Sequence, residues 1–125
     1  MKFLDRFGGQ AYALLRIVAG LLFLAHGVQK FFNFPAAFPM PLNPMLHAAG
    51  IIELVAGALI VIGLFTRPAA FIASGMSAVG YWVAHGNQSP YPIVNGGETI
   101  ALYCFIFLFI ATRGAGIWSI DGAKK

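Results

Sequence analysis

The stretch from Asn95 to Thr112, NGGETIALYCFIFLFIAT, decides the fold of this 125-residue chain. After Glu98 it runs for fourteen residues without a charge, three of them Phe. That length and polarity suit the completion of one membrane crossing, since the hydrocarbon core of a bilayer takes about 20 helical residues. An ionised side chain just inside such a crossing costs several kcal/mol, roughly 2.5 or more at the bilayer centre. Glu98 is therefore expected to have a partner or a task.

The rest of the chain has the same character. Hydrophobic residues make up 59% of it, charged residues 10%, and the mean hydropathy is +0.80. A soluble domain of this size carries about 25% charged residues, so the composition argues against a soluble bundle and for an integral membrane protein. Four spans of about 20 residues with their connections consume the chain, which makes residues 1–125 a single membrane domain. The first apolar run contains Arg16 and no A-x-A-like site follows it, so it reads as a retained helix and not a signal peptide. The net charge of +4 comes mostly from the ends of the chain and bears on orientation; no nucleic-acid partner is expected. Cys104 is the only cysteine, which leaves no internal disulfide and no C-x-x-C pair.

The expected fold is all-α, a transmembrane four-helix bundle with spans over about 10–32, 46–65, 68–85 and 95–112. Between the first two spans, FFNFPAAFPMPLNP (Phe31–Pro44) holds four of the seven prolines. It reads as an irregular outer loop lying on the membrane or folding back over the bundle. Thr66 to Pro68 is expected to form a tight hinge with Pro68 at the first helical position. GNQSPYPIVNGG (Gly86–Gly97) reads as a loop, and the tail RGAGIWSIDGAKK (Arg113–Lys125) offers Trp118 as an interface anchor. Lys2, Arg6, Arg67, Arg113, Lys124 and Lys125 fall on one side of the membrane against Lys30 on the other, which places both termini in the cytoplasm.

The polar residues then sort by depth. His26 and Lys30 end the first helix, His47 and Glu53 begin the second, His85 ends the third, and Asn95 and Glu98 begin the fourth. All lie in the outer third. At about 100° per residue, Arg16, Gly20, Phe23, Gly27 and Lys30 share one face of the first helix. Gly50, Glu53, Gly57 and Ile60 share a face of the second, and Ser74, Ala78, Tyr81 and His85 one of the third. Glu98, Ala101, Leu102 and Phe105 do so on the fourth. Small residues beside the charges let backbones approach, so these faces are expected to converge. The expected site is an outward-opening polar pocket of His26, Lys30, Glu53, Tyr81, His85, Asn95 and Glu98, supported by Arg16, Gly27 and Gly57 and floored by Phe and Tyr rings.

Each residue also admits a structural role. Lys30 suits snorkelling to the headgroups, and Arg16 suits snorkelling inward or binding a helix carbonyl, on the order of 10 Å below Glu53. Glu53 suits a buried ion pair or a protonated carboxyl. Glu98 suits a carboxylate over the first amides of its own helix. His26 and His85 suit the interface, and His47 solvent. No metal is expected, because neither Glu53 nor Glu98 is followed three residues later by His, as the ferritin-like Glu-x-x-His arrangement requires.

LLRIVAGLLFLAHGVQKFF (Leu14–Phe32), GIIELVAGALIVIGLFTRPAA (Gly50–Ala70), NGGETIALYCFIFLFIA (Asn95–Ala111) and WSID (Trp118–Asp121) together resemble the DoxX family. The resemblance implies a small four-helix protein of the bacterial inner membrane. It also implies a link to membrane oxidoreductase complexes: the family takes its name from a subunit associated with thiosulfate:quinone oxidoreductase and a terminal quinol oxidase. Relatives are linked to oxidative and thiol stress. The family pattern falls here on Arg16, His26, Gly27, Lys30, Glu53, Gly57, Thr66, Arg67, Pro68, Asn95, Gly96, Gly97 and Glu98.

Three functional readings follow. In the first, the pocket binds a quinone headgroup, with Lys30, His26 or His85 as donors, Glu53 or Glu98 as proton acceptors, and Phe23, Tyr103 and Phe105 flanking the ring or its tail. With no cofactor motif and one Cys, the chain is then an accessory that needs a catalytic partner subunit. In the second, it is a small-solute or proton-coupled transporter, which four helices support only as a homodimer. In the third, the polar cluster locks a scaffold for membrane complexes.

Overall fold

A computed structural model of the chain describes residues 1–39, 41–86 and 89–123. Among the described residues the regular structure is entirely helical. A 3-10 turn (Lys2–Phe7) leads into α1 (Gly8–Phe32), followed by α2 (Pro44–Ile62) and α3 (Thr66–Gly80). α3 continues as a π-helical turn over Tyr81–Gly86; then come α4 (Pro92–Asn95), α5 (Glu98–Arg113) and α6 (Ile120–Ala123). Lys124 and Lys125, counted above for orientation, lie outside the described residues, as do Asn87 and Gln88 of the third connection.

Local chemistry sets the boundaries. α2 starts where the Asn43 side chain accepts a hydrogen bond from Leu46 N at 2.8 Å, with Pro44 in the first turn, where its missing N–H is harmless. α1 ends at Asn33 in the left-handed region, and the Asn33 side chain accepts from Phe38 N at 3.1 Å, turning the Pro-rich loop back toward the helix. The hinge between α2 and α3 is displaced from the expected Thr66–Pro68 to Gly63–Phe65, both of which adopt positive φ. Phe65 tolerates φ 49° because its N–H and that of Thr66 donate to the Asp121 carboxylate at 3.1 and 2.9 Å. The expected fourth helix is also broken. Gly96 at φ 75° and a bond from Gly97 N to Asn95 Oδ1 at 2.8 Å separate the one-turn α4 from α5.

Lys2–Phe32 and Pro44–Ile62 are long and apolar enough to cross a membrane. α3 has 15 residues before its π turn and α5 has 16, so the other two expected spans are shorter as regular α-helix.

α1 packs along α2, α3 along α5, and α2 against α3. The α1–α2 contact depends on glycine: a methyl on Gly27 would sit 2.9 Å from the Gly50 carbonyl oxygen, and one on Gly57 2.9 Å from Leu24 Cα. α1 and α5 instead meet across rings, with Phe23 against Tyr103 and Phe107 at 5.6 and 4.9 Å and Tyr12 against Phe109 at 5.7 Å. The polarity is inverted relative to a soluble protein. Arg16, Glu53, Thr66, Ser74, Ser77 and Asn95 are buried, while Leu14, Val18, Leu22, Ile51, Phe71 and Phe105 face outward. That pattern matches a hydrocarbon surrounding.

The face expected for the last long helix is corrected. Its buried residues are Tyr103, Phe107 and Ile110, whereas Leu102 and Phe105 are 62% and 69% exposed. The helix is apolar on every side, so its own sequence carries no polarity to set the rotation. Glu98, used above to set it, sits exposed in the first turn.

Candidate functional site: an ion pair between α1 and α2

The close approach at Gly27 and Gly57 brings the last turn of α1 against the third turn of α2. Lys30 Nζ donates to Glu53 Oε1 at 2.6 Å, with the two side chains 9% and 6% exposed. Lys30 thus turns inward instead of snorkelling, its stem shielded and its ammonium 5.4 Å from the Phe38 ring. Gly27 and Gly57 set the backbone proximity that lets these two side chains meet.

Two further groups from α1 and α5 complete this region. His26 is exposed, and its Nδ1 donates to the Leu22 carbonyl at 2.8 Å; a carbonyl only accepts, so this tautomer leaves Nε2 as an acceptor. Its ring stands edge-on to Tyr103 at 5.8 Å and 87°. Both His26 and Tyr103 lie within electrostatic reach of the Glu53 carboxylate. Among the described residues nothing hydrogen-bonds to the Tyr103 hydroxyl. The group therefore offers a buried cation–anion pair, an exposed imidazole acceptor and a phenolic donor. The sequence offers Tyr103 only as a flanking ring, because a lone Tyr in an apolar helix carries no signal of what it faces.

The other expected pocket residues gather elsewhere. Asn95, 6% exposed, donates to Tyr81 Oη and the Ser89 carbonyl at 2.9 and 2.8 Å and accepts from Gly97 N. Tyr81 in turn donates to the Pro90 carbonyl at 3.1 Å, and His85 Nδ1 bonds to the Asn95 carbonyl at 3.1 Å. These residues clasp the connection between the π turn and α5, each committing at least one hydrogen-bonding group to it. Glu98 joins neither cluster. Gly97, and not a side chain, stands at the helix cap, and the carboxylate projects from the first turn, where the helix dipole favours it.

Arg16 does not support the pocket. It lies fourteen residues before Lys30 in α1, about 21 Å along the axis, and is wholly buried. Nε donates to the Ile60 carbonyl at 3.0 Å and Nη2 to that of Trp118 at 2.7 Å; Nη1 donates to those of Ala115 and Ile117. Ile60 belongs to the last turn of α2, whose carbonyls lack helical partners and whose dipole favours a cation. Arg67 does the same for α5, donating to Ala111, Thr112 and Arg113 carbonyls at 3.1, 2.6 and 3.3 Å. With Asp121 on the start of α3 and Tyr12 Oη on the Gly114 carbonyl at 2.6 Å, this end of the molecule satisfies its helix termini internally. The tail is thus folded against the helices, and Trp118 remains 58% exposed on it.

One cavity is lined by residues of the tail and another by apolar residues of α2, α3 and their hinge. Neither includes Lys30 or Glu53. Lys30 and Glu53 are packed against each other with both side chains nearly buried.

The DoxX family profile matches residues 11–86. The chain is similar to an uncharacterized protein of Haemophilus influenzae, with 40% identity covering 97% of this chain and 96% of that one. It is similar to the inner membrane protein YphA of Escherichia coli, with 32% identity over 97% and 96% of the two chains. An uncharacterized membrane protein of Mycobacterium tuberculosis is 24% identical over 91% and 81%. No solved structure matches the chain significantly. A family match across more than half the chain, relatives named as membrane proteins, and an apolar exterior around a polar interior agree: the chain is a membrane protein of the DoxX family.

Proposed function

We propose that the chain is a multi-pass protein of the bacterial inner membrane that holds a quinone headgroup beside the Lys30–Glu53 pair, as a non-catalytic subunit of a membrane oxidoreductase complex. In this reading α1, α2, α3 with its π turn, and α5 form a transmembrane four-helix bundle comprising one domain. Both termini are cytoplasmic. A relative named as an inner membrane protein supports the placement. The gathering of Arg6, Arg67 and Arg113 at the end that carries the termini, against Lys30 at the other, supports the orientation.

The observation that carries the ligand assignment is the set of unlike groups around Glu53: an ammonium in contact with it, an exposed imidazole and a phenol within electrostatic reach. A quinone has two carbonyl oxygens that require donors when oxidised and hydroxyls that require acceptors when reduced. Lys30 and Tyr103 supply the former; Glu53 and His26 Nε2 supply the latter. A quinone held here would supply two-electron, two-proton chemistry, its two electrons passing to or from the partner subunit; Glu53 at its carboxylate and His26 at Nε2 would each hold or release one of the two protons.

Mass spectrometry of lipid-soluble molecules co-purifying with the wild type and with Glu53→Gln, normalised to folded protein, tests this. Stoichiometric quinone that is lost in the variant is the expected result. Its absence from both would rule the reading out and direct attention to proton-coupled flux.

A further inference from the structure

The surroundings of the Lys30–Glu53 pair differ sharply from side to side. At the end of the helices the Phe38 ring lies over Lys30, and Phe31 packs so tightly on Gly50 that an added methyl would meet its ring at 2.6 Å. Between α1 and α2 the backbones are too close to admit any group, as the 2.9 Å clearance at Gly27 shows. The α1–α5 side is different. There the backbones are spaced by rings, His26 is exposed, and Tyr103 stands behind it with a hydroxyl that no described residue uses. Rings move aside by rotating, whereas a glycine-mediated backbone contact opens only if helices separate.

We infer that the ligand reaches the pair sideways from the lipid, through the seam between α1 and α5, and that the Tyr103 hydroxyl is the donor that meets its carbonyl oxygen there. This rests on the quinone reading and adds to it an entry route and a specificity-determining residue. The ligand class that fits is a carbonyl-bearing ring on an apolar tail. The ring enters past His26, against the Phe23, Tyr103 and Phe107 aromatic group, where Tyr103 and Phe107 are stacked at 5.5 Å and 15°. A water-soluble ligand arriving at the loop end meets the Phe31 and Phe38 rings instead. Tyr103 is 7% exposed, so its hydroxyl discriminates only against molecules that enter the seam.

The full chain reconstituted in phospholipid nanodiscs with a photoactivatable azidoquinone bearing an isoprenoid tail tests this, the adducts being mapped by peptide mass spectrometry. Labelling on the α1–α5 seam around Leu22, His26, Leu102 and Ile106, competed by unlabelled long-chain quinone, is expected. Tyr103→Phe keeps the ring and its packing and should weaken competition by about three- to tenfold, the loss of one hydrogen bond. Competed labelling confined to residues 33–39 or to the α2–α3 face would overturn lateral entry while leaving the quinone reading standing. Competed seam labelling unchanged in Tyr103→Phe would overturn the role of Tyr103. No competed labelling anywhere in the wild type would remove the quinone reading itself, and this inference with it.

Discussion

Lys30 and Glu53 are 23 residues apart in sequence and 2.6 Å apart in space, and the pair closes because glycines at 27 and 57 let α1 and α2 approach. Removing one partner leaves the other charge nearly buried with nothing to neutralise it. Lys30→Met or Glu53→Leu alone is expected to cost about 3–5 kcal/mol, and the two together far less. Denaturant titration in detergent measures it; a double variant worse than either single one would show that the pair does not act as a unit.

The Arg16 guanidinium fork joins α2 to the tail. Arg16→Lys keeps the charge but cannot reach the carbonyls of Ile60, Ala115, Ile117 and Trp118 together. Each lost charged hydrogen bond is worth about 1.5–3 kcal/mol. The expected consequence is faster proteolytic cleavage between residues 115 and 119, with the Lys30–Glu53 end undisturbed. Equal cleavage rates would mean that the tail is held by other contacts.

Asp121 caps a helix that begins 55 residues earlier. Asp121→Ala should cost about 0.5–2 kcal/mol, the usual range for a lost cap. The loss should be seen first as accelerated hydrogen exchange at Phe65 and Thr66 amides. Unchanged exchange there would remove Asp121 from the account of how α3 starts.

Glycines on different faces should behave in opposite ways. Gly57→Ala places a methyl 2.9 Å from Leu24 Cα and is expected to destabilise by about 1–3 kcal/mol. A methyl on Gly75, in the middle of α3, meets nothing within 4 Å, so Gly75→Ala should raise the melting temperature, a gain of up to about 1 kcal/mol. Similar shifts for both would contradict the α1–α2 contact.

Composition and hydropathy were enough to establish an all-helical membrane protein, because the scarcity of charge is a property of the whole chain and needs no coordinates. Helical phase identified the buried faces of α1 and α2, where Arg16, Lys30 and Glu53 stand in line with glycines and only one side of each helix combines charge with small residues. The same method failed on α5. Its apolar residues surround the axis evenly, and only packing against Phe23 of α1 shows that Tyr103 and Phe107 face inward while Phe105 does not.

Tertiary structure alone decided which polar residues meet. Glu53, Tyr81, Asn95 and Glu98 all fall at similar depths in the sequence reading, yet depth along an axis says nothing about rotation around it or about the partner helix. The structure pairs Glu53 with Lys30, uses Tyr81 and Asn95 to clasp a connection, and leaves Glu98 outside. It also assigns Arg16, Arg67 and Asp121 to helix ends far away in sequence. Hydrophobicity sums along a chain and is legible there; hydrogen bonds between helices depend on positions that only the folded packing supplies.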